Sequence, residues 1–272
     1  MAEVPVRADE RIDDTGFGGV RVIQGGGFSY GVDAVLLASF LAERLTGRSG
    51  QSADRSARPV RVCDLGTGNG IIPLILSHKA PQCRTVGIEV DPDAYSRAVR
   101  SVRLNDLDDR IMILHADIND IYESITQEAA EADAEGAEET AGAFAVVVTN
   151  PPYFRRGAAI LNEQSAKARA RHETTAGLAD FLRLAELLLR QGGDFYMIHR
   201  PDRLVDVLSE MRTRGIEPKE LQMITPRQGE AANLVLIHGV KGAGPELRLL
   251  PEQAVHGPGQ EYTDWINRIY ER

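Results

Sequence analysis

Residues 60–79 read VRVCDLGTGNGIIPLILSHK, and this stretch decides the fold. A short apolar run with β-branched residues passes through Asp64, and three glycines at alternate positions, Gly66, Gly68 and Gly70, lead into a helical pattern. Glycine lets the chain turn sharply and lets a ligand come close to the backbone. This order of strand, glycine turn and helix predicts one unit of a parallel α/β sheet with a ligand site at the turn.

The same alternation continues along the chain. Apolar runs typical of strands occur at 60–65, 85–90, 111–115, 144–149, 194–198 and 233–240, and helical periodicity occurs at 71–79, 92–105, 177–190 and 202–213. The segment 218–225 precedes 233–240 without a helical pattern between them, so these two strands should pair antiparallel. We therefore expect an α/β fold, a doubly wound, mostly parallel seven-stranded sheet with a C-terminal antiparallel hairpin.

Two polar segments interrupt this pattern. Residues 48–59 have the composition of a loop. Residues 123–143 are rich in Ala and Glu and contain no aromatic residue, which predicts a short solvated helix or a mobile loop that adds nothing to the core. We expect 1–58 to be a strand/helix extension that packs on a catalytic domain, and 59–272 to be that domain, with a mobile acidic insert at 123–143.

The formal net charge of −9 is unevenly distributed. Residues 111–154 contain nine acidic residues and no Lys or Arg, whereas acids and bases balance over the rest of the chain. Overall acidity therefore does not exclude a nucleic-acid partner. The amino-terminal residues contain no apolar signal-peptide core and no run of about 18 apolar residues occurs, so we expect a cytoplasmic protein with no membrane contact.

Neither the cysteines nor the histidines indicate a metal. The two cysteines form no CxxC pair and are expected to be buried thiols. The six histidines lack metal-ligand spacing, so no metal site is expected.

Acidic residues follow the next two strands at the edge where open α/β sheets bind ligands. Glu89 ends the second strand and could accept hydrogen bonds from ribose hydroxyls, and Asp117 follows the third and could accept one from an adenine amino group. These positions and the glycine spacing predict a nucleoside cofactor and disfavour an NAD-dependent dehydrogenase, whose loop has GxGxxG spacing. The expected cofactor-binding residues are Asp64, Gly66, Thr67, Gly68, Gly70, Glu89, Asp117, Ile118 and Asn150.

The fourth strand ends in the tetrad Asn150, Pro151, Pro152 and Tyr153. An exocyclic amine on an aromatic ring is a weak nucleophile because its lone pair is delocalised. The Asn150 side-chain oxygen and the Pro151 carbonyl could hold the two N–H hydrogens and free that lone pair, and the prolines would fix both acceptors in advance. Tyr153 could stack on a base. We expect these four residues to be catalytic.

Together, the glycine loop, Glu89, Asp117 and the tetrad resemble the Rossmann-like class I methyltransferases that modify amino groups. The stretches 22–40 (VIQGGGFSYGVDAVLLASF), 170–174 (ARHET) and 233–242 (NLVLIHGVKG), with the Arg200–Arg203 segment, resemble the tRNA(Val) adenine-37 N6-methyltransferase family. The resemblance implies S-adenosyl-L-methionine as cofactor and N6 of an adenine in RNA, in a tRNA anticodon loop, as the methylated atom.

The resemblance also implies that the loop with Tyr30, Gly31 and Asp33 covers the cofactor, although Asp33 could instead cap the helix predicted at 34–45. A basic stretch follows the tetrad and could contact RNA phosphates, or it could be an ordinary solvated loop. Its bases are Arg155, Arg156, Lys167, Arg169 and Arg171. No obligate protein partner is predicted.

Two other functions remain open. A protein glutamine N5-methyltransferase, such as one acting on a release factor, would use the same tetrad, but such enzymes carry a separate helical domain before the glycine loop. A non-catalytic nucleoside- or RNA-binding protein would not need a tetrad that polarises an amine.

Overall fold

The computed structural model describes residues 4–25, 29–49, 59–131, 141–152 and 176–272. Tyr153 and the five bases of the stretch 155–171 lie outside the described residues. The described strands are β1 (Glu10–Asp14), β2 (Arg21–Gly25), β3 (Val60–Leu65), β4 (Cys83–Glu89), β5 (Ile111–His115), β6 (Phe144–Thr149), β7 (Leu189–His199), β8 (Ile216–Arg227), β9 (Leu234–Lys241), β10 (Arg248–Leu249) and β11 (Gln253–His256). The described helices are α1 (Val32–Ser49), α2 (Ile71–Lys79), α3 (Pro92–Leu104), α4 (Ile118–Glu131), α5 (Leu178–Leu188), α6 (Leu204–Thr213) and α7 (Asp264–Ile269).

One large sheet organises the described chain in the order β10-β8-β9-β7-β6-β3-β4-β5. Neighbours from β7 to β5 are parallel, and β9 is antiparallel to both β7 and β8. The predicted mostly parallel sheet of seven strands with a C-terminal antiparallel hairpin is confirmed. The short strands β10 and β11 also pair with β8, and they escaped prediction because two to four residues are too few to establish a periodicity.

Helices cover both faces of this sheet. The apolar side chains of α1, α2, α3 and α7 pack on one face, and those of α4, α5 and α6 pack on the other. Strand β3 serves both layers, because Val62 belongs to the first core and Cys63 to the second. Strands buried on both faces explain the continuous apolar runs of the sequence. Within the described ranges no helix combines the length and the apolar character needed to cross a membrane.

The amino-terminal hairpin of β1 and β2 is fastened to α3. Arg100 donates two hydrogen bonds of 2.6 Å to the carboxylate of Glu10, whose side chain is 1% exposed. These bonds lower the pKa of Glu10 to about 2. The Ile23 amide also donates to the Ser101 hydroxyl at 2.9 Å, so a charged and a neutral contact hold the hairpin against the sheet domain.

The segment 123–143 contributes more to the core than its composition indicates. Its first part continues α4, and Ile125 is buried in the second core, although the sequence predicted no core residue here. An isolated isoleucine among Ala and Glu gives a weak pattern, but one apolar residue suffices to fasten a helix that already begins with the buried Ile118. Residues 132–140 lie outside the described residues.

Candidate active site

The glycine loop joins β3 to α2 and is fixed to the end of β4. Gly66, Gly68 and Gly70 have φ values of +73°, +60° and +82°, a region that side chains disfavour. The backbone N–H groups of Gly66 and Thr67 both donate to the Ile88 carbonyl at 3.0 Å. The loop therefore has a defined shape before any ligand arrives.

The three glycines of the loop differ in their contacts. A Cβ on Gly66 would lie 3.4 Å from the Phe181 ring, and one on Gly70 would lie 3.4 Å from Ala98 Cβ. Both distances are ordinary van der Waals contacts, so the positive φ, and not crowding, is what favours glycine at these two positions. Gly68 donates its N–H to Oε2 of Glu89 at 2.7 Å, which places that carboxylate directly against the loop.

Asp64 organises the loop from inside the protein. Its side chain is fully buried, and its Oδ2 accepts a hydrogen bond from the Thr67 hydroxyl at 2.6 Å. Burial raises the pKa of Asp64 to about 7, the Thr67 hydrogen bond lowers it, and the charge of Glu89 raises it. The contact that the structure gives Asp64 is with Thr67, and its direct contact with a cofactor stays a prediction.

Glu89 lies at the carboxyl end of β4, where it was expected. Its Oε1 accepts the Asp91 N–H at 2.8 Å while Oε2 accepts that of Gly68, so the carboxylate bridges the loop and the start of α3. Burial raises the pKa of Glu89, and the backbone donors lower it. Each carboxylate oxygen can accept more than one hydrogen bond, so further donors such as hydroxyl groups can still be bound.

Asp117 and Ile118 follow the next strand along the edge. Asp117 is half-buried and its Oδ1 accepts the Asn119 N–H at 2.8 Å, which caps the start of α4. The Ala116 amide donates to the Glu89 carbonyl at 3.1 Å, so Asp117 is tied to the same edge as Glu89. Ile118 is buried in the second core and supports this edge from behind.

The tetrad begins where β6 ends, beside the glycine loop. The Thr149 hydroxyl donates to the Leu65 carbonyl at 2.8 Å, and the two residues are paired in register between β6 and β3. Asn150 is half-buried, Pro151 is buried and Pro152 is exposed. The structure thus brings the first three tetrad residues to the edge that carries Gly68 and Glu89.

A residue from far earlier in the chain completes this arrangement. The Asn150 side-chain Nδ2 donates to Oδ2 of Asp33 at 3.0 Å. Asp33 lies in the first turn of α1, and its Oδ1 accepts the Ala34 N–H at 2.9 Å. The sequence left Asp33 between a helix cap and a cofactor cover, and the structure adds a contact with the tetrad.

Sequence reasoning missed two further residues near the loop. Asn69 is fully buried, and neither its Oδ1 nor its Nδ2 has a hydrogen-bond partner among the described residues. Gly87 faces Asp64 across β3 and β4, and a Cβ there would lie 2.9 Å from the Thr67 side chain. A polar residue between two loop glycines, and a glycine inside an apolar strand, were the available signals.

The polar groups at the glycine loop suit a cationic nucleoside better than a pyrophosphate. Residues 60–72 contain one base, Arg61, at the far end of the strand, whereas Asp64 and Glu89 place two carboxyl groups at the loop. The Gly68 N–H, which a phosphate would need, is already bonded to Glu89. In the described part of the chain no cluster of His, Cys, Asp and Glu could hold a metal ion.

Comparison with known proteins identifies a family. The family model of the Eco57I restriction-modification methylases matches residues 84–226. The chain belongs to this family. The matched residues of this Eco57I-family chain include Glu89, Asp117 and the complete tetrad, and the glycine loop precedes them.

Curated relatives and solved structures extend the comparison. A tRNA1(Val) (adenine(37)-N6)-methyltransferase of Porphyromonas gingivalis strain W83 is 33% identical over 178 residues, which are 65% of this chain and 60% of the relative. The enzyme of the same name from Bacteroides thetaiotaomicron is 25% identical over 77% of this chain and 82% of its own length. The chain thus spans less than two thirds of the first of these relatives.

The solved structures share the fold. A predicted O-methyltransferase from Agrobacterium tumefaciens superposes with a TM-score of 0.61 at 23% identity, over 88% of this chain and 95% of its own. A 16S rRNA methyltransferase from T. thermophilus, solved with AdoMet and guanosine, superposes with a TM-score of 0.53 at 21% identity, over 87% of this chain and 52% of its own. The Eco57I-family chain therefore has the class I methyltransferase fold.

Proposed function

We propose that this chain transfers a methyl group from S-adenosylmethionine to the exocyclic N6 of an adenine in RNA, with a tRNA anticodon loop as substrate. One observation carries the proposal. The hydrogen bond from Thr149 to Leu65 holds the start of the tetrad next to the glycine loop at the same sheet edge. Two reactants held side by side need only the correct alignment to react.

S-adenosylmethionine fits the residues at the glycine loop. Glu89 would accept hydrogen bonds from the ribose hydroxyls and Asp117 one from the adenine amino group, as the position of each at a strand end suggests. The carboxylates also complement the positive sulfonium and ammonium groups of this cofactor. When bound, it supplies an electrophilic methyl group on the sulfonium.

The tetrad would act on the amine that receives the methyl group. The Asn150 oxygen and the Pro151 carbonyl would each accept one N–H hydrogen, which favours a pyramidal nitrogen with an available lone pair. With the cofactor bound, the nitrogen would form its bond to the methyl carbon as the carbon–sulfur bond breaks, and the cationic amine would lose one proton to solvent. Asn150 and Pro151 need supply no strong base, because they act by position.

The substrate class is supported by the names of the curated relatives, which are tRNA1(Val) adenine-37 N6-methyltransferases. An unpaired anticodon-loop adenine can enter a site with little unstacking cost. In this proposal the bases of the stretch 155–171 contact the phosphates, and the protein works in the cytoplasm. Direct cofactor contacts of Asp64, Gly66, Thr67, Gly68, Gly70 and Ile118 are part of the same proposal.

The test is methyl incorporation into unmodified tRNA transcripts followed by mass spectrometry of the nucleosides. We expect N6-methyladenosine from a tRNA1(Val) transcript, and none when guanine replaces the adenine at tRNA position 37. Methylation of a release-factor peptide instead of tRNA would establish the glutamine alternative. Binding of RNA without transfer to RNA or peptide would establish a non-catalytic binding protein.

A further inference from the structure

Asn150, at the end of β6, is hydrogen-bonded to a residue 117 positions earlier in the chain. Its Nδ2 donates to Oδ2 of Asp33 at 3.0 Å, which joins the tetrad to the first turn of α1. An ionised carboxylate only accepts hydrogen bonds, so the NH₂ side of the Asn150 amide must face Asp33. The amide oxygen, on the other branch of the same planar group, is therefore turned away from Asp33.

Asp33 is itself held in a defined place. Its Oδ1 accepts the Ala34 N–H at 2.9 Å, and the positive end of the α1 dipole favours its negative charge. A Cβ on Gly31 would lie 2.5 Å from that Oδ1, so the carboxylate can occupy this place because residue 31 has no side chain. Helix α1 behind it is buried in the first core.

The loop that leads to Asp33 is fixed as well. The buried Gln24 accepts hydrogen bonds at its Oε1 from the Ser29 hydroxyl at 2.8 Å and from the Tyr30 N–H at 3.0 Å. Its Nε2 donates to Asp13 on the neighbouring strand. The hairpin thus determines where residues 29–33 begin, and through them where the carboxylate meets Asn150.

We propose that Asp33 is a positioning residue for methyl transfer, which sets the rotation of the Asn150 amide so that its oxygen faces the substrate amine. This inference rests on the proposed function. With the amide turned over, its NH₂ group would meet the N–H groups of the substrate amine, and two donors would oppose each other. A correct orientation set in advance removes the need to reorganise the site during the reaction.

The contact also makes the Asn150 oxygen a better acceptor. An amide whose NH₂ donates to a carboxylate is polarised, and its oxygen gains negative charge. The substrate nitrogen becomes positive as its bond to the methyl carbon forms, so this oxygen binds the transition state more strongly than the ground state. Losing Asp33 should therefore lower kcat more than it raises KM.

An exchange of the two side chains tests the orientation directly. Asn150→Asp places two carboxylates opposite each other, and we expect kcat to fall by about 10³-fold. Adding Asp33→Asn places an amide donor at position 33 opposite the carboxylate at position 150. The second oxygen of that carboxylate can then accept a hydrogen bond from the substrate amine. The double variant should recover at least about tenfold of that loss, although each single substitution lowers kcat.

A double-mutant cycle tests whether Asp33 acts through Asn150. Asp33→Ala should lower kcat by about 10- to 100-fold with an unchanged Kd for S-adenosylhomocysteine, and it should add less than about twofold in an Asn150→Ala background. Gly31→Ala, whose Cβ would displace the Asp33 carboxylate by direct contact, should lower kcat in the same way. Asp264→Ala removes an acidic residue from the first turn of α7 and is the matched control.

The outcomes separate this inference from the proposed function. The substrate is whichever the wild type methylates, the tRNA transcript or the release-factor peptide, since both present a planar amine or amide. Wild-type activity in Asp33→Ala, or independent effects of Asp33→Ala and Asn150→Ala on kcat, would overturn the positioning role. A wild type that methylates neither substrate would overturn both proposals, and unfolding curves identify any variant that fails to fold.

Discussion

The Thr149 hydroxyl donates a hydrogen bond to the Leu65 carbonyl at 2.8 Å, and both residues are the last of their strands. The bond lies between parallel neighbours in the centre of the sheet, and the loop that follows each strand carries one half of the candidate site. Because it is fully buried, it is shielded from exchange with water. The spacing of the two loops is thus set by the sheet itself.

Thr149→Val should keep the shape of this side chain and remove the bond. We expect a loss of about 1–2 kcal/mol of unfolding free energy and a fall in kcat of about tenfold, because the two loops lose their fixed spacing. Thr225→Val, in a fully buried residue of β8 whose hydroxyl bonds the Gln253 carbonyl, should cost stability alone. Urea unfolding and kcat for both variants check this, and an equal loss of kcat in the two would contradict it.

Glu89→Gln should weaken cofactor binding. A glutamine offers one acceptor in place of two and turns an NH₂ group toward the Gly68 or Asp91 N–H, so the loop loses a charged contact worth about 1.5–3 kcal/mol. Calorimetry should show an affinity for S-adenosylhomocysteine reduced by about 10- to 100-fold. Glu123→Gln, on the exposed face of α4, should bind as the wild type does, and equal affinities of all three proteins would refute the role of Glu89.

Asp64→Asn should change how stability depends on pH. Burial raises the pKa of Asp64 to about 7, whereas in the unfolded chain its carboxyl ionises near pH 4. Between these values the folded state binds the extra proton, so this residue lowers the unfolding free energy as pH rises. The stability of Asp64→Asn minus that of the wild type should grow by a few kcal/mol, to order of magnitude, from about pH 4 to about pH 7.

Urea unfolding of the ligand-free protein at several pH values measures this difference. Asp108→Asn, at a largely exposed carboxylate, is the matched control. Parallel stability curves for the wild type and Asp64→Asn would show that Asp64 is ionised in the folded protein throughout this range.

Methyl transfer should tolerate loss of the Tyr153 hydroxyl, but not loss of the Tyr153 ring or of the Asn150 amide. Tyr153→Phe keeps the ring and should be mild, whereas Tyr153→Ala removes a stacking surface worth about 1–3 kcal/mol and should raise KM for the RNA. Asn150→Ala should lower kcat by about 10²- to 10³-fold with the fold intact. Steady-state kinetics on one tRNA transcript compare the three, and full activity of Tyr153→Ala would remove the stacking role.

The basic stretch should determine the salt dependence of RNA binding. Replacing Arg155, Arg156 and Arg171 by Ala should weaken tRNA binding and reduce the salt slope by about one unit or less for each lost phosphate contact, with unchanged cofactor affinity. The same change at Arg103, Arg190 and Arg212, three exposed arginines elsewhere, is the control. If both triple variants bind tRNA alike at every salt concentration, the stretch does not hold the RNA.

Much of the sheet edge could be predicted because its signals are local. Gly66, Gly68 and Gly70 follow a strand directly, Glu89 ends the next strand, and Asp117 follows the third. A parallel sheet brings all these strand ends to one edge. The hydrogen bond from the Gly68 N–H to Glu89 could not be predicted, because it depends on how the loop meets another element, β4. Ile125 was missed for the same reason, since its burial depends on the helix that packs against it.

The hydrogen bond between Asp33 and Asn150 could not be predicted from the sequence. Nothing in the spacing of two residues 117 positions apart indicates a hydrogen bond, and the amino-terminal segment has no periodic relation to the sheet. Only the closure of the hairpin and α1 onto the sheet brings the two side chains together. Predicting a long-range polar contact of this kind requires the three-dimensional structure, even where the sequence has singled out each partner.

The pair of Glu10 and Arg100 has a consequence for how such a protein can change over time. It fastens the hairpin whose Gln24 holds the approach to Asp33, so under the proposed role of Asp33 substitutions at this distant pair would alter turnover. Under the proposed roles, a lineage could adjust its rate through the hairpin and its choice of RNA through the basic stretch after the tetrad, each without disturbing the other. Saturation mutagenesis would then find two separate groups of sensitive positions, one governing speed and the other recognition.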